Sequence, residues 1–388
     1  MRMAVLHTPL DAPILVMLLM LPISLWVSAD LPQSIAKAVG LLIGVAIFYA
    51  TVATQRVLRR PGYVLAVYLV VGSAIALAGL LGTNWLPKYT PISWLQQWLP
   101  PWIRGLPGAT SGFHPNEVAG VLLWFVPLQL ALLVRRDARG MGWQRVLLSC
   151  VAVLTAAVLL LTQSRGAWMG LLLGLVAMCA YGRPGTRALF LAGSALGLVA
   201  ALLLASSLLL GSSPPQLPGL QPSSWTFRAL VWRAALNGLS EFPFTGIGLG
   251  AFRSSARYLY LLPLIPADYN FGHAHNGFLQ AGLDLGLPGL LAYAAIWCQL
   301  VRLLLAVPSK RSDTTCCFER QSSFLVACGL WGCLVSSFAF NLTDTVALGA
   351  RGGLPWWMML GLIVGVDHEP SSDGSHQHSL LPKQDLSQ

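Results

Sequence analysis

The chain has 388 residues, of which 55% are hydrophobic and only 10% are charged. Soluble domains carry about 25% charged residues, so this composition excludes an ordinary soluble globular enzyme. The formal net charge of +10 would favour nucleic-acid binding in a soluble protein. In a membrane protein the same charges report topology, because Lys and Arg concentrate in cytoplasmic loops.

Apolar runs long enough to cross a bilayer recur along almost the whole sequence. They predict an all-α, polytopic membrane protein with about ten transmembrane helices of about 20 residues each. The predicted spans are residues 9–29, 34–54, 62–81, 118–134, 143–161, 166–181, 188–210, 289–307, 322–340 and 354–366. Residues 1–366 are therefore predicted to form a single polytopic membrane domain.

The basic residues between these spans predict the orientation of the chain. When the first loop is placed outside and the sides alternate, every short basic cluster falls on the cytoplasmic side. These residues are Arg56, Arg59, Arg60, Arg135, Arg136, Arg139, Arg145, Arg183, Arg187, Arg302, Lys310, Arg311 and Arg320. Both termini are then cytoplasmic, and the polar residues 367–388 are predicted to be a disordered cytoplasmic tail.

The first span has an alternative interpretation. Val27-Ser28-Ala29 precedes Asp30 and resembles a signal-peptide cleavage site after an apolar run. Cleavage there would remove one span and leave the orientation of all the others unchanged.

Two predicted outward segments stand out by length. Residues 82–117 are rich in Trp and Pro, which is typical of a segment at headgroup depth. Residues 211–273 form the predicted large extracytoplasmic loop, with a Pro- and Ser-rich start and an amphipathic helical pattern over 226–241. Gly246, Gly248 and Gly250 follow, but no strand precedes them, so a nucleotide is not an expected partner. Nucleic acid is not an expected partner either, because the basic residues are explained by membrane topology.

Basic residues outnumber acidic ones on the predicted outward side, where the positive-inside rule expects few of them. The bases are Lys37, Lys88, Arg104, Arg165, Arg228, Arg233, Arg253, Arg257 and Arg351, and the acids are Asp30, Glu117, Glu241, Asp268, Asp284 and Asp344. An anionic ligand would explain this excess. A surface that prefers anionic lipid headgroups is the simpler alternative.

Arg165 is the sharpest single case among these cations. It lies in the tight polar turn Thr162-Gln163-Ser164-Arg165-Gly166 between two predicted spans. The planar guanidinium donates in pairs to phosphate oxygens and keeps its charge at every physiological pH. The pattern favours a phosphate contact, and snorkelling of the side chain to lipid headgroups is the alternative.

His275 is the candidate for proton transfer, because a neutral imidazole accepts a proton near neutral pH. With His273 it could instead form a metal pair. The two residues do not share a helical face, and no third ligand has a recognisable spacing. We therefore expect no metal and no other cofactor.

A helix is predicted to follow His275, with a break at Gly286-Leu287-Pro288-Gly289. The stretch His275-Asn276, nine further residues and Gly286-Leu287-Pro288-Gly289 resembles the signature of the O-antigen ligase and polymerase family of bacterial membrane glycosyltransferases. Further landmarks agree in order and spacing. They are Ser164-Arg165-Gly166, Phe227-Arg228-Ala229-Leu230-Val231-Trp232 and Phe242-Pro243-Phe244-Thr245-Gly246-Ile247-Gly248-Leu249-Gly250. The resemblance covers roughly residues 112–289.

The resemblance implies a multi-pass protein of the bacterial inner membrane that moves a glycan from a polyprenyl diphosphate carrier to an acceptor hydroxyl. The active site would face the periplasm or exterior, and a glycolipid or glycan would be the acceptor. Arg165 and Arg228 would stabilise the diphosphate without a metal ion, and His275 would take the acceptor proton. Arg233, Asn276 and Glu117 are weaker candidates for substrate binding. Asn276 alternatively caps the following helix, Glu117 is alternatively a helix-start charge favoured by the dipole, and Arg233 is alternatively a solvated loop charge.

Two other functions compete with an O-antigen ligase-like transfer. A polymerase of O-antigen or exopolysaccharide would use the same chemistry and shares the same motifs. A non-catalytic transporter would place ionisable residues in mid-span and would often contain inverted repeats. Neither feature is evident in the sequence.

Overall fold

The computed structural model describes residues 7–85, 94, 98–99, 102–106, 109–134, 142–181, 224–260, 265, 272–307, 317–346 and 348–366. Within these residues all regular structure is helical, which confirms the predicted all-α class. Twelve α-helices are described: α1 Asp11–Val27, α2 Leu31–Arg56, α3 Pro61–Gly82, α4 Pro115–Leu122, α5 Val126–Leu133, α6 Gly142–Leu161, α7 Arg165–Tyr181, α8 Ser224–Glu241, α9 Phe252–Leu259, α10 Gly277–Ala306, α11 Cys317–Asn341 and α12 Leu354–Val366.

Six of the described helical segments are long and apolar enough to cross a membrane. They are Leu31–Arg56, Pro61–Gly82, Pro115–Leu133, Gly142–Leu161, Gly277–Ala306 and Ser323–Asn341. The helices α1 and α7 are apolar but shorter. The predicted span 188–210, the predicted loop start at 211–223 and the predicted tail 367–388 lie outside the described residues. The count of about ten spans and the extent of the large loop therefore stay predictions.

Local sequence explains where several helices begin. The Asp30 carboxylate accepts a hydrogen bond from the Gln33 amide at 3.3 Å, and Pro32 follows in the first turn, so α2 starts with a side-chain cap. His114 and Pro115 play the same two roles for α4. A capping side chain satisfies one of the amides that a helix start leaves unpaired.

Two predicted spans differ from the observed helices in an instructive way. The span predicted over 118–134 is interrupted between α4 and α5, where Pro127 cannot donate a backbone hydrogen bond. The span predicted to begin at residue 289 belongs to α10, which already begins at Gly277. The predicted break at Gly286 is present as a kink inside α10, with φ 69° and ψ −174° at Gly286.

The helices pack through small residues, as is common when bilayer helices approach closely. A β-carbon on Gly170 of α7 would lie 2.6 Å from the Ser336 carbonyl oxygen of α11, and one on Gly361 of α12 would lie 2.6 Å from the Thr51 side chain of α2. By contrast, side chains such as Val70 and Leu291 point outward and are 67% and 68% exposed. Large apolar side chains on an outer surface fit contact with lipid.

The two ends of the helix bundle carry different sets of polar residues. At one end the last turn of α2 meets α12, where the Gln55 amide donates to the Gly361 carbonyl at 2.9 Å. At the other end Asn116, at the start of α4, donates to Asp344, just after α11, at 2.8 Å. The polar residues that the sequence analysis singled out lie at this second end.

Candidate active site

His275 lies in a short, highly constrained segment that leads into α10. The Asn276 side chain accepts hydrogen bonds from the amides of Phe278 and Leu279, both at 3.0 Å, and so caps the helix. The Ala274 amide donates to the Gln280 side chain at 2.8 Å. His275 itself has a φ of 50°, a left-handed conformation that non-glycine residues seldom adopt and that is often found at functional sites.

Asp344 is the centre of the cluster around His275. Its carboxylate is 3.3 Å from His275 Nδ1 and 3.5 Å from His273 Nε2. Asn116 Nδ2 donates to Asp344 Oδ2 at 2.8 Å, and the Thr345 amide donates to Oδ1 at 2.9 Å. Burial favours the protonated acid, but the contacts with His275, His273 and Arg228 prevail and hold the pKa of Asp344 well below its usual range.

His273 is held as a neutral imidazole. Its Nδ1 accepts the His275 amide proton at 3.2 Å, so the ring hydrogen resides on Nε2, which faces Asp344. Burial, only partly offset by Asp344, lowers the pKa of His273 to about 3, with further contributions from His275 and Lys37. At neutral pH His273 is therefore a positioning group and carries no charge.

The contact between Asp344 and His275 decides which imidazole nitrogen can do chemistry. The separation of 3.3 Å is within ion-pair range, although its angle falls short of a full hydrogen bond. The carboxylate favours the tautomer with hydrogen on Nδ1, which leaves Nε2 as the basic nitrogen. The ring is further fixed by an edge-on contact with Phe227 at 5.4 Å and by the Trp232 indole, which donates to the His275 carbonyl at 3.2 Å.

Arg228, on α8, joins the cluster from the side. Its Nε donates to the Thr343 carbonyl at 2.6 Å, and one terminal nitrogen lies 3.7 Å from the Asp344 carboxylate. The side chain is 17% exposed, so one edge of the guanidinium still reaches the surface of the cluster. A fixed arginine of this kind can bind an anion beside His275.

Residues 150–294 match the family model described as O-antigen ligase. The match covers fewer than half of the residues of the chain, and over this segment the protein is similar to the O-antigen ligase family. The matched residues include Arg165, Arg228 and His275, which confirms the family resemblance recognised in the sequence. A comparison with curated proteins finds no match. The family match and the apolar helices together make this an integral membrane protein of polysaccharide biosynthesis.

The remaining candidates take different places around the O-antigen ligase segment. Arg165 is exposed at the first position of α7, and the helix start packs on the cluster, since a β-carbon on Gly166 would lie 2.9 Å from the Thr343 hydroxyl. Glu117 lies in the first turn of α4 and is surface-accessible, while its charge interacts with Asp344 and His275. Both residues therefore lie at the rim of the cluster.

The two weaker candidates Asn276 and Arg233 lie in different surroundings. Asn276 is a helix cap, and its Nδ2 also donates to the Leu342 carbonyl at 3.2 Å. Arg233 is exposed and does not share the face of Arg228, because five helical residues turn a side chain by about 140°. A role of Arg233 in substrate binding stays a prediction.

A third candidate metal ligand exists that the sequence spacing did not reveal. The ligand atoms of His273, His275 and Asp344 all lie within 4.8 Å of one another. Two imidazoles and a carboxylate could hold a zinc-like ion. However, Asp344 already accepts two hydrogen bonds and is 3.7 Å from the Arg228 cation, which disfavours a further positive charge at the same oxygens.

Asp344 and Asn116 are candidate site residues that the sequence analysis did not single out. Asp344 was one of several outward acids, and Asn116 is separated from it by 228 positions. Both lie outside the segment that matches the O-antigen ligase family. The only available signal was their location at the same predicted face of the membrane.

Proposed function

We propose that this protein is a membrane glycosyltransferase that moves a glycan from a polyprenyl diphosphate carrier to an acceptor hydroxyl. The observation that carries the proposal is the contact of His275 with the Asp344 carboxylate, which Arg228 also approaches. The O-antigen ligase match over the same segment supports it.

His275 acts as the general base. The acceptor hydroxyl attacks the anomeric carbon of the carrier-linked sugar, and its proton passes to His275 Nε2. Asp344 stabilises the resulting imidazolium and keeps the ring in place, since the carboxylate faces Nδ1 at 3.3 Å. A positioned base of this kind accelerates proton transfer by about 100-fold to 10,000-fold.

The arginines act on the leaving group. As the new glycosidic bond forms, the bond between the anomeric carbon and the diphosphate oxygen breaks, and negative charge grows on that oxygen. Arg228 is already fixed by Thr343 and Asp344, and Arg165 lies exposed at the rim. Preorganised cations stabilise such developing charge more than flexible ones do.

The proposed reaction needs no metal ion. The Asp344 carboxylate is already bound by Asn116, Thr345 and Arg228, and the arginines can neutralise the diphosphate. The site would face the periplasm or exterior, because Arg56, Arg59 and Arg60 lie at the opposite end of the bundle and basic loops stay cytoplasmic.

The test is complementation of a deletion strain, with surface glycans resolved on a gel and transfer measured with the purified protein. His275→Ala should lower transfer by about 100-fold or more, and Arg165→Lys by about 100-fold, because an ammonium does not reproduce the guanidinium fork. His7→Ala and Arg60→Lys, at the other end of the bundle, are the matched controls and should transfer normally. Wild-type transfer by both site variants would refute the mechanism.

The same gel distinguishes the two forms of the reaction. Loss of all long chains from the acceptor, with polymer left on the carrier, identifies a ligase. Acceptor that carries a single repeat identifies a polymerase. Transfer that persists in a metal chelator supports the metal-free mechanism, whereas loss that zinc or manganese restores would assign the His273, His275 and Asp344 group to a metal.

A further inference from the structure

Lys37 is an ionisable residue with no role in the reaction described so far. It lies on α2, roughly 9 Å along the axis from the first residue of that helix, at a rise of about 1.5 Å per residue. The residue is half-buried within a segment apolar enough to span a membrane. Charged side chains in such segments are costly and usually serve a function.

Two glycines fix the position of Lys37. A β-carbon on Gly349 would lie 3.0 Å from the Lys37 Cα, so the backbone of α2 packs directly on that loop. A β-carbon on Gly250, where φ is +75°, would lie 2.7 Å from Lys37 Nζ. Gly250 therefore leaves room for the Lys37 side chain, whose ammonium lies against the loop before α9.

The Lys37 ammonium has no hydrogen bond or ion pair of 4 Å or less in the described part of the chain. The Lys37 charge acts on the buried Asp284 carboxyl, but no ion pair of 4 Å or less joins the two groups in the described residues. Instead, Asp284 Oδ1 is bound by the Gly250 amide and the Gln280 side chain, both at 2.7 Å, and Asp284 Oδ2 is buried without a partner. A half-buried ammonium that lacks a bonded anion can gain a charge-assisted hydrogen bond by binding an anionic ligand.

Arg253 provides a second cation in the segment that follows Gly250. It lies in the first turn of α9, three positions after Gly250, and is exposed. The charges of both Lys37 and Arg253 act on Glu117, which also interacts with Asp344 and His275. Lys37 on α2 and Arg253 on α9 thus act on the same carboxyl group as the His275–Asp344 cluster, whereas Arg228 reaches the cluster from α8 through Thr343.

We infer that Lys37 and Arg253 form a second phosphate-binding pair beside His275, in addition to the pair Arg228 and Arg165. The inference rests on the proposed function and extends it to a second anionic group of the substrates. That group is a phosphate, which either the diphosphate of the lipid carrier or a phosphorylated sugar of the acceptor can supply.

The test measures binding rather than transfer. The full-length protein is placed in nanodiscs of uncharged phosphatidylcholine, so that lipid headgroups do not compete as net anions. Undecaprenyl diphosphate without a glycan is the first probe, and the acceptor glycolipid before and after phosphatase treatment is the second. The variants are Lys37→Gln, Arg253→Gln and both together, with Arg60→Gln as control at the opposite end of the bundle.

We expect the double variant to bind one phosphate probe at least about 10-fold more weakly, because each charge-assisted hydrogen bond contributes substantially to binding. Weaker binding of undecaprenyl diphosphate assigns the pair to the donor. Weaker binding of the untreated acceptor, with the phosphatase-treated acceptor unchanged, assigns it to the acceptor. Lys37→Arg keeps the charge and should restore most of the affinity, which separates a binding role from a folding defect.

Unchanged affinity of the double variant for both probes, with wild-type protein binding normally, would overturn this inference and leave the proposed function intact. Failure of the wild-type protein to bind either probe would overturn the proposed function together with the inference.

Discussion

At the scale of single residues, the His275 segment has a strained backbone and is held in place by several hydrogen bonds. The residue has a φ of 50°, and Gln163, two positions before Arg165, has a φ of 51°. Such conformations cost on the order of 1–3 kcal/mol each and persist only where the surroundings enforce them. One of these residues is the proposed base His275 itself and the other is close to Arg165 in sequence, although Arg59, at the opposite end of the bundle, also has a φ of 50°.

Asp344→Asn tests whether the carboxylate positions His275. The amide keeps the shape of the side chain but loses the charge that stabilises the imidazolium. We expect kcat for transfer to fall by about 100-fold or more while KM for the donor changes little, as measured with the purified protein. Glu241→Gln is the control, because Glu241 accepts from Tyr260 at 2.9 Å outside the cluster. A pure rise in KM would contradict a positioning role.

The neutral state of His273 predicts how stability depends on pH. Its pKa is lowered from 6.5 to about 3 by burial, so the unfolded chain binds this proton first when the pH falls. The contribution of neutral His273 to the free energy of unfolding is therefore fully present above pH 6.5. It is lost as the pH falls toward 3, by at most about 1.4 kcal/mol per pH unit. Melting temperatures in detergent should fall between pH 7.5 and 5, and less steeply for His273→Gln. Equal slopes would show that His273 does not contribute.

At the scale of elements, the kink of α10 places the loop before α9 against the rest of the bundle. The Leu283 carbonyl, left free by the kink, accepts the Ile247 amide at 2.7 Å, and the Pro243 carbonyl accepts the Leu287 amide at 2.6 Å. The Ser34 hydroxyl of α2 donates to the Leu249 carbonyl at 2.7 Å. The segment with Gly246, Gly248 and Gly250 thus packs between α1, α2 and α10. Its surroundings do not support a nucleotide-binding interpretation.

Gly286→Ala tests the kink. The residue has φ 69° and ψ −174°, a region essentially restricted to glycine, and a β-carbon would also lie 3.0 Å from the Thr245 amide nitrogen. We expect a loss of about 1–3 kcal/mol of stability, seen as a lower melting temperature. Gly62→Ala is the matched control, since nothing lies within 4 Å of its added β-carbon. Equal melting of both variants would refute the structural role of the kink.

At the scale of the whole molecule, helices from all parts of the chain deliver their polar ends to one face. Lys37, Asn116, Arg165, Arg228, His275 and Asp344 come from six different segments of the sequence. The opposite face carries Arg56, whose guanidinium donates to the Val364 carbonyl at 3.2 Å. By the positive-inside rule, the face with the basic residues would lie in the cytoplasm, and the proposed active site would then face outward.

Cysteine labelling in intact cells tests this orientation. Tyr258 lies near the proposed active-site face and is 91% exposed, and Leu58 lies at the opposite face and is 62% exposed. A membrane-impermeant maleimide should label Tyr258→Cys above the level of the parent protein before lysis, and Leu58→Cys only after lysis. The reverse pattern would place the site in the cytoplasm and exclude a carrier-linked substrate on the outer side.

The sequence by itself determined the features that depend on local composition. Apolar runs predicted the all-α membrane class, the Gly286-Leu287-Pro288-Gly289 motif predicted the break in α10, and the pattern over 226–241 predicted α8 to within two residues at its start. The family resemblance, confirmed over residues 150–294, identified Arg165, Arg228 and His275 as candidates. Each of these signals is contained in a short stretch of chain.

Only the tertiary structure decided which of these residues meet. Packing of α4, α10 and α11 brings Asn116 and His275 to Asp344, and packing of α2 brings Lys37 to Gly250. The helix face, which a residue list does not specify, separates the exposed Arg233 from Arg228. The physical reason is that hydrogen bonds and ion pairs depend on distances of a few ångströms between distant segments, and helix packing sets those distances.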